Sequence, residues 1–320
     1  MLVTDTAEKI KKMEIRGAGR IARAAISALM DHAETISPRE PEEFAAEMKN
    51  AADLLQNTRP TAVSLPNAIH MVMKSLEGEF LSVSDARDQF VSSGRNFITS
   101  SETAVERIGE IGARHIRDGD TILTHCNSEA ALASIIRAHQ NGTRFRVFAT
   151  EVRPRNQGLL TIRALSDAGI STSYIVDSAA RFFMKEIDLV IVGADAVAVN
   201  GAVVNKIGTS QIALAAHESR VNMVVAAESY KFAPRTILGE FVQIEERGPE
   251  EVLTPSYLQD LPHVRVRNPA FDVTPPEYID LIITEEGAIP PQMAYIIIRD
   301  YLGWEIGEFG TDERYGGRSR

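Results

Sequence analysis

A chain of 320 residues exceeds one ordinary domain of ~100 to 200, and 44% hydrophobic with 24% charged residues is the composition of a globular protein, which excludes a disordered, collagen-like or low-complexity chain. With 34 Lys and Arg against 44 Asp and Glu the formal charge is −10, the wrong sign for a protein that mainly coats nucleic acid or anionic membrane, so an anionic ligand needs a locally basic pocket. The longest apolar stretch, Ile187 to Val199, is broken by Asp188 and Asp195 and falls short of the ~18 apolar residues of a membrane span.

The N-terminus scatters Asp5, Glu8, Lys9, Lys11 and Lys12 among apolar residues and lacks the core of a secretory signal, so a cytoplasmic location is expected. From Thr4 to about Ile116 apolar residues recur at helical spacing: Ile21, Ala25, Ala28 and Leu29 in one segment, Ile69, Val72, Met73 and Leu76 in another. Breaks at Arg16-Gly17-Ala18-Gly19, Ser37-Pro38, Arg59-Pro60 and Glu77-Gly78 divide this stretch into four or five helices. After Asp118-Gly119-Asp120 the texture changes to short β-branched runs between helical stretches. The runs are Thr121 to His125, Phe145 to Thr150, Ser173 to Val176, Leu189 to Val192, Met223 to Ala226 and Leu281 to Thr284. Alternation of this kind means βαβ units, and near-continuous apolar strands mean burial on both faces. The expected fold is α/β: an N-terminal helical domain, residues 1–117, followed by a Rossmann-like doubly wound parallel sheet, residues 118–320. A tail from Gly310 to Arg320 is expected to fray or dock lightly.

Ligands of open parallel sheets bind beyond the carboxyl ends of the strands. Two residues stand out there. Cys126, the chain's one cysteine, follows the first strand and precedes a helix beginning at about Ser128, where a helix dipole lowers a thiol pKa. A lone cysteine is more often a small buried hydrophobe, so the strand-end place is what makes Cys126 a candidate. Asp195 ends the strand Leu189 to Val192, where desolvation would favour a protonated carboxyl suited to a general acid; a cap or loop acid is the plainer alternative. His125 and Cys126 should diverge as neighbours on a strand, so they form no dyad, and the histidines lack metal-ligand spacing. Asn205, Lys206 and Lys231 fall in connections beyond strand ends, where they could build a basic pocket, although isolated lysines are usually solvated. Gly17-Ala18-Gly19-Arg20-Ile21-Ala22 fits a dinucleotide fingerprint formally, but a charged helix rather than a strand precedes it. The N–H groups of the next helix start, with Arg16, could still hold a phosphate.

Arg16-Gly17-Ala18-Gly19, Thr58-Arg59-Pro60-Thr61, Leu123 to Ser128, Gly193-Ala194-Asp195 and Asn205 to Thr209 together resemble the translation initiation factor 2B-like superfamily along essentially the whole chain. That superfamily holds methylthioribose 1-phosphate isomerases, archaeal ribose 1,5-bisphosphate isomerases and non-catalytic regulatory subunits. Its enzymes pair a cysteine with an aspartate at these motifs, which the resemblance carries to Cys126 and Asp195, whereas the regulatory α subunit has serine for the cysteine. Glu228-Ser229-Tyr230-Lys231-Phe232 stands where methylthioribose enzymes have a Pro-x-Ser-Thr-like segment, and resembles the bisphosphate isomerases and regulatory subunits. Lys231 suits a second phosphate at C5. Ser64, where many members have asparagine, and the Glu151 to Gln157 segment depart from the pattern; Gln157 is a further candidate for substrate contact.

The resemblance therefore implies conversion of ribose 1,5-bisphosphate to ribulose 1,5-bisphosphate in nucleoside monophosphate degradation. Methylthioribose phosphate isomerisation and a regulatory subunit are the alternatives. Asp195 would donate to the ring oxygen and a Cys126 thiolate would remove the C2 proton, with no metal and no cofactor. Arg16, Gly17, Ala18, Gly19, Arg59, Ser128, Glu129, Ala130, Asn205, Lys206 and Lys231 would share the phosphates and hydroxyls. The implied partners are a small sugar bisphosphate and further copies of the chain, a dimer assembled into a hexamer as a trimer of dimers, with no nucleic acid and no membrane.

Overall fold

The computed structural model describes residues 2–15, 17–59, 63–238 and 242–304. Arg16 and the Gly310 to Arg320 tail lie outside them. The chain divides into two compact units, Met1–Ala104 and Val105–Arg320.

The first unit is helical: α1 (Val3–Lys11), α2 (Ala18–Thr35), α3 (Pro41–Gln56), α4 (Ser64–Met73) and the greater part of α5 (Val83–Ala113). Ile21, Ala25, Ala28 and Leu29 line the buried face of α2, and Ile69 and Val72 that of α4, as their spacing predicts. Met73 keeps partial exposure at the end of α4. Phe44 and Phe90 meet edge to face at 6.5 Å in this core. Arg87 donates to the carbonyls of Ala33 and Ile36 at 2.8 and 3.0 Å, satisfying the C-terminal end of α2. A helix, α1, precedes the Gly17-Ala18-Gly19 turn, so the dinucleotide fingerprint has no strand to stand on.

The second unit carries β1 (Thr121–Thr124), α6 (Glu129–Gln140), β2 (Arg146–Thr150), α7 (Gly158–Asp167), β3 (Thr172–Ile175), α8 (Ala180–Phe183), β4 (Leu189–Gly193), β5 (Ala196–Ala198), β6 (Val203–Lys206) and α9 (Thr209–Ser219). It continues with β7 (Asn222–Ala226), β8 (Phe232–Ala233), α10 (Pro255–Gln259), β9 (Phe271–Thr274), β10 (Leu281–Thr284), β11 (Gly287–Ile289) and α11 (Ala294–Asp300). A seven-stranded sheet runs β11-β10-β7-β4-β1-β2-β3, parallel except for β11. The order reverses at β1: β2 and β3 extend one side, while β4, β7 and β10 extend the other. The crevice of a doubly wound sheet therefore opens beyond the ends of β1 and β4.

All six strands read from the sequence lie in this sheet. A second sheet, β8-β5-β6-β9, was not expected, because its members have two to four residues and no clear apolar run. It puts Asn205 and Lys206 inside β6 rather than in a connection. The last turns of α5 bury Ile108 and Ala113 in the core formed by β1, β2, β4 and α6. This places the division between the units within α5, at Ala104, ahead of the loop around Arg117 where the change of texture suggests it.

Candidate active site

The ends of β1 and β4 approach closely because β4 finishes in a glycine. A Cβ at Gly193 would sit 2.2 Å from Ser128 Oγ. Ser128 is the N-cap of α6, its hydroxyl accepting from the Ala131 N–H at 3.3 Å, so the helix starts where the sequence places it. The approach brings the segment carrying Cys126 alongside the segment carrying Asp195. Cys126 itself takes the left-handed conformation at φ 68°. Its carbonyl accepts from Thr161 Oγ1 at 2.8 Å, and its sulfur lies 3.8 Å from Gln157 Oε1. Asp195 is held from behind, its N–H donating to Val204 O at 2.9 Å.

His125 takes no part as a partner of Cys126. Its buried ring lies 2.6 Å (Nδ1) from Thr150 Oγ1 and 2.9 Å (Nε2) from Ile207 O. The dyad fails as expected, with a local cause: both residues lie past the end of β1 and the ring is engaged elsewhere.

Lys206 ends β6 with its ammonium 4.4 Å from the Phe271 ring centre, and Arg247 lies over the same ring at 5.9 Å. Both cations act on the thiol. Burial of the Cys126 sulfur is nevertheless the largest influence, pushing the thiol up to about 11; Lys206 lowers it, Asp195 raises it, and Arg247 lowers it further. The helix-dipole expectation of a lowered thiol is thus corrected: desolvation outweighs the start of α6, and the thiol is mostly neutral near neutral pH. Burial also lowers Lys206, opposed by Cys126 and Asp195. Asn205 donates from Nδ2 to Thr209 Oγ1 at 3.0 Å. On the opposing β9, Asp272 accepts from the N–H groups of Gly208 and Ser210, closing the start of α9; its own burial pushes it up to about 6.

Lys231 follows β7 as expected but is not a solvated or waiting cation. It is buried and lies 2.6 Å from the buried Glu228 carboxylate, in the fields of Asp195 and Glu129. Glu285 holds the same turn by accepting from Ser229 N and Oγ at 3.0 and 2.6 Å. Asp195 is the shared neighbour: it acts on Cys126 and Lys206 and also on Lys231, which feels Glu129 as well. Ser128 and Ala130 belong to the same helix start.

Gly17, Ala18, Gly19 and Arg59 belong to the helical unit. Gly17 is the N-cap of α2 and the first turn carries no acidic residue, leaving the N–H groups of that turn without a side-chain cap. Ser64 Oγ contacts Ala18 O at 3.3 Å, and Arg59 Nη1 lies 3.2 Å from Met13 Sδ. Sequence reasoning passed over Arg247, Phe271, Asp272 and the Glu228 partner of Lys231. Only the last left a signal, a glutamate three residues before the lysine. Among the described residues no three His, Cys, Asp or Glu side chains are grouped to hold a metal ion.

The family model described as the initiation factor 2 subunit family matches residues 14–291. The chain belongs to that family. Within the family it is 57% identical over 302 residues to a ribose 1,5-bisphosphate isomerase of Archaeoglobus fulgidus, covering 94% of each chain. It is 55% identical over 303 residues to one of Methanocaldococcus jannaschii, covering 95% of this chain and 96% of that one. A crystal structure described as the translation initiation factor eIF-2B of Pyrococcus horikoshii OT3 superposes with TM-score 0.75 at 33% identity, covering 90% of this chain and 97% of that one.

Proposed function

We propose that this chain is an isomerase that converts α-D-ribose 1,5-bisphosphate to D-ribulose 1,5-bisphosphate by acid–base catalysis between Asp195 and Cys126. The observation that carries the reading is a thiol and a carboxylate at the ends of β1 and β4, each acting on the other and on buried Lys206. Similarity to the archaeal isomerases along nearly the whole chain supports the choice of substrate.

A sugar phosphorylated at C1 cannot open through a free aldehyde, so the ring must be forced. In this mechanism Asp195 gives its proton to the ring oxygen as the bond from C1 breaks, and the Cys126 thiolate removes the C2 proton, leaving an enol phosphate. Cys126 then returns the proton to C1, while the C2 hydroxyl proton passes to Asp195 and the ketone forms. Both residues end as they began. The reactive form needs the proton on Asp195 and the charge on sulfur; moving one proton from thiol to carboxylate produces it with no net change of charge. Lys206 stabilises the thiolate side of that exchange.

Arg16, Gly17 to Gly19, Arg59, Ser128 to Ala130, Asn205, Lys206 and Lys231 are assigned in this reading to phosphates and hydroxyls. Charge-assisted bonds of ~1.5 to 3 kcal/mol each offset the chain's negative field. The reading includes a cytoplasmic homo-oligomer, a dimer assembled into a hexamer, which light scattering tests; among the described residues no helix is long and apolar enough to cross a membrane. The deciding experiment offers purified protein α-ribose 1,5-bisphosphate and methylthioribose 1-phosphate and follows ketose formation. Ketose from the bisphosphate alone supports the reading. Ketose from methylthioribose 1-phosphate alone replaces the substrate. No ketose from either, with a stable complex with initiation factor 2, replaces the enzyme with a regulatory subunit.

A further inference from the structure

We propose that His125 is a positioning residue for this reaction: a neutral ring, protonated on Nε2, that clamps together the chain segments following β1, β2 and β6 and so sets Cys126, Gln157 and Lys206 in one place. The inference rests on the reading of Cys126 as the base.

The tautomer follows from the partners. Ile207 offers a carbonyl, which can only accept, so Nε2 at 2.9 Å carries the hydrogen. In the neutral ring, the form that burial favours, Nδ1 is then an acceptor, and Thr150 Oγ1 at 2.6 Å is its donor. One ring, on the residue after β1, thus ties that segment to the last residue of β2 and to the residue after β6. Each tie lies beside a residue of the site: Cys126 is next in sequence to His125, and Lys206 is next to Ile207. Thr150 opens the turn that ends in Gln157, whose amide oxygen faces the sulfur at 3.8 Å.

Asp177 reinforces the same turn. Its two carboxylate oxygens accept from the N–H groups of Val152 and Arg153, each at 2.8 Å, and one of them lies 3.9 Å from His125 Nδ1. The other clamp is steric. A Cβ at Gly208 would lie 3.1 and 3.2 Å from His125 Cε1 and Nε2, and Gly208 has φ 105°, so the chain after β6 closes on the ring only with glycine there.

The charged groups facing the ring are Asp177, which favours a positive imidazole, and Lys206, which opposes it; burial opposes it most and lowers the ring below its ordinary value. With both ring nitrogens engaged by Thr150 and Ile207, and the residue 1% exposed, His125 has no free nitrogen to offer substrate. His125 therefore acts through Cys126, Gln157 and Lys206 and is not itself a catalytic residue.

Thr150→Val tests the clamp, since it keeps the shape of the side chain and removes the hydrogen that Nδ1 accepts. The expected result is a fall in kcat of roughly ten- to a hundred-fold, on the scale of a displaced catalytic group, with KM changed much less and the iodoacetamide reactivity of Cys126 altered. His125→Gln, whose amide can donate to Ile207 O and accept from Thr150, should retain more activity than His125→Leu. Nitrogen-15 spectra of the wild type should show one histidine neutral and protonated on Nε2 at pH 7, with its titration displaced below the ordinary imidazole range. A merely structural His125 would lower Tm in these variants and leave kcat and alkylation as they were, which overturns the proposal. A charged ring or the opposite tautomer at pH 7 overturns it too, whether or not any variant folds. Normal turnover by Cys126→Ser would instead remove the base assignment on which the inference rests, while the nitrogen-15 result would still report the clamp.

Discussion

The Lys231 ammonium lies 2.6 Å from Oε2 of Glu228, and both side chains are buried. Burial opposes charge on each, yet the partner's opposite charge prevails, holding Glu228 below and Lys231 above the ordinary values. The cation assigned to a second phosphate is thus already half of an ion pair, with Asp195 and Glu129 adding to the negative field around it.

Removing Lys231 alone strands a buried carboxylate, at a cost of about 3 to 5 kcal/mol. Lys231→Met should therefore unfold at markedly lower denaturant, and Glu228→Gln with Lys231→Met should recover most of the loss. The double variant isolates the functional role. Its kcat/KM for ribose 1,5-bisphosphate should fall roughly ten- to a hundred-fold, with little change on ribose 1-phosphate, which has no C5 phosphate to miss the cation. Equal loss on both substrates would place Lys231 at the C1 phosphate.

The Cys126 thiol, pushed up to about 11 by burial, is mostly protonated at neutral pH. Because only the thiolate is alkylated, inactivation by iodoacetamide should be slow at pH 7 and quicken about tenfold per pH unit toward pH 10. Lys206 holds the thiol down, so Lys206→Met should raise it further and slow alkylation at every pH below that range. A rate that levels off below pH 8 in the wild type would mean that the start of α6 outweighs burial after all.

The fold was legible because its main sheet announces itself. β4 reads Leu189-Val190-Ile191-Val192, and an apolar run bounded by helical spacing has few other homes. Strand ends made Cys126 and Asp195 candidates, and the resemblance to the superfamily's enzymes paired them. Electrostatic detail was less accessible. Whether a helix start or desolvation governs a thiol depends on what surrounds the sulfur, and Lys206, Asp195 and Arg247 come from segments far apart in sequence. The second sheet escaped for a related reason: β5 and β8 are three and two residues long, and such strands are held by pairing partners rather than by a pattern of their own.

Asp195→Asn should abolish turnover while leaving Tm within a few degrees of wild type. The amide nearly matches the carboxyl in shape but has no acidic proton for the ring oxygen, and a positioned acid or base contributes about 10²- to 10⁴-fold. Steady-state kinetics beside thermal melts separate this from a structural role, which predicts the reverse: a lowered Tm with kcat within a few-fold of wild type.

Gly193→Ala tests whether the site depends on the approach of β4 to the start of α6. The added methyl would meet Ser128 Oγ at 2.2 Å and Ser128 Cβ at 2.5 Å, so the two strand ends must separate. Overpacking of this kind costs about 1 to 3 kcal/mol, and displacement of the segments carrying Cys126 and Asp195 should lower kcat by up to about a hundred-fold. Because the obstacle is the Ser128 side chain, Ser128→Gly in the same protein removes it, and glycine replaces serine as an N-cap at a loss of only a few tenths of a kcal/mol. The double variant should thus regain stability and much of kcat, measured on ribose 1,5-bisphosphate at saturation. Ser128 is also assigned to substrate, so KM should stay raised in the double variant while kcat returns. If Ser128→Gly restores Tm but not kcat, the spacing of the two strand ends is not what sets the rate.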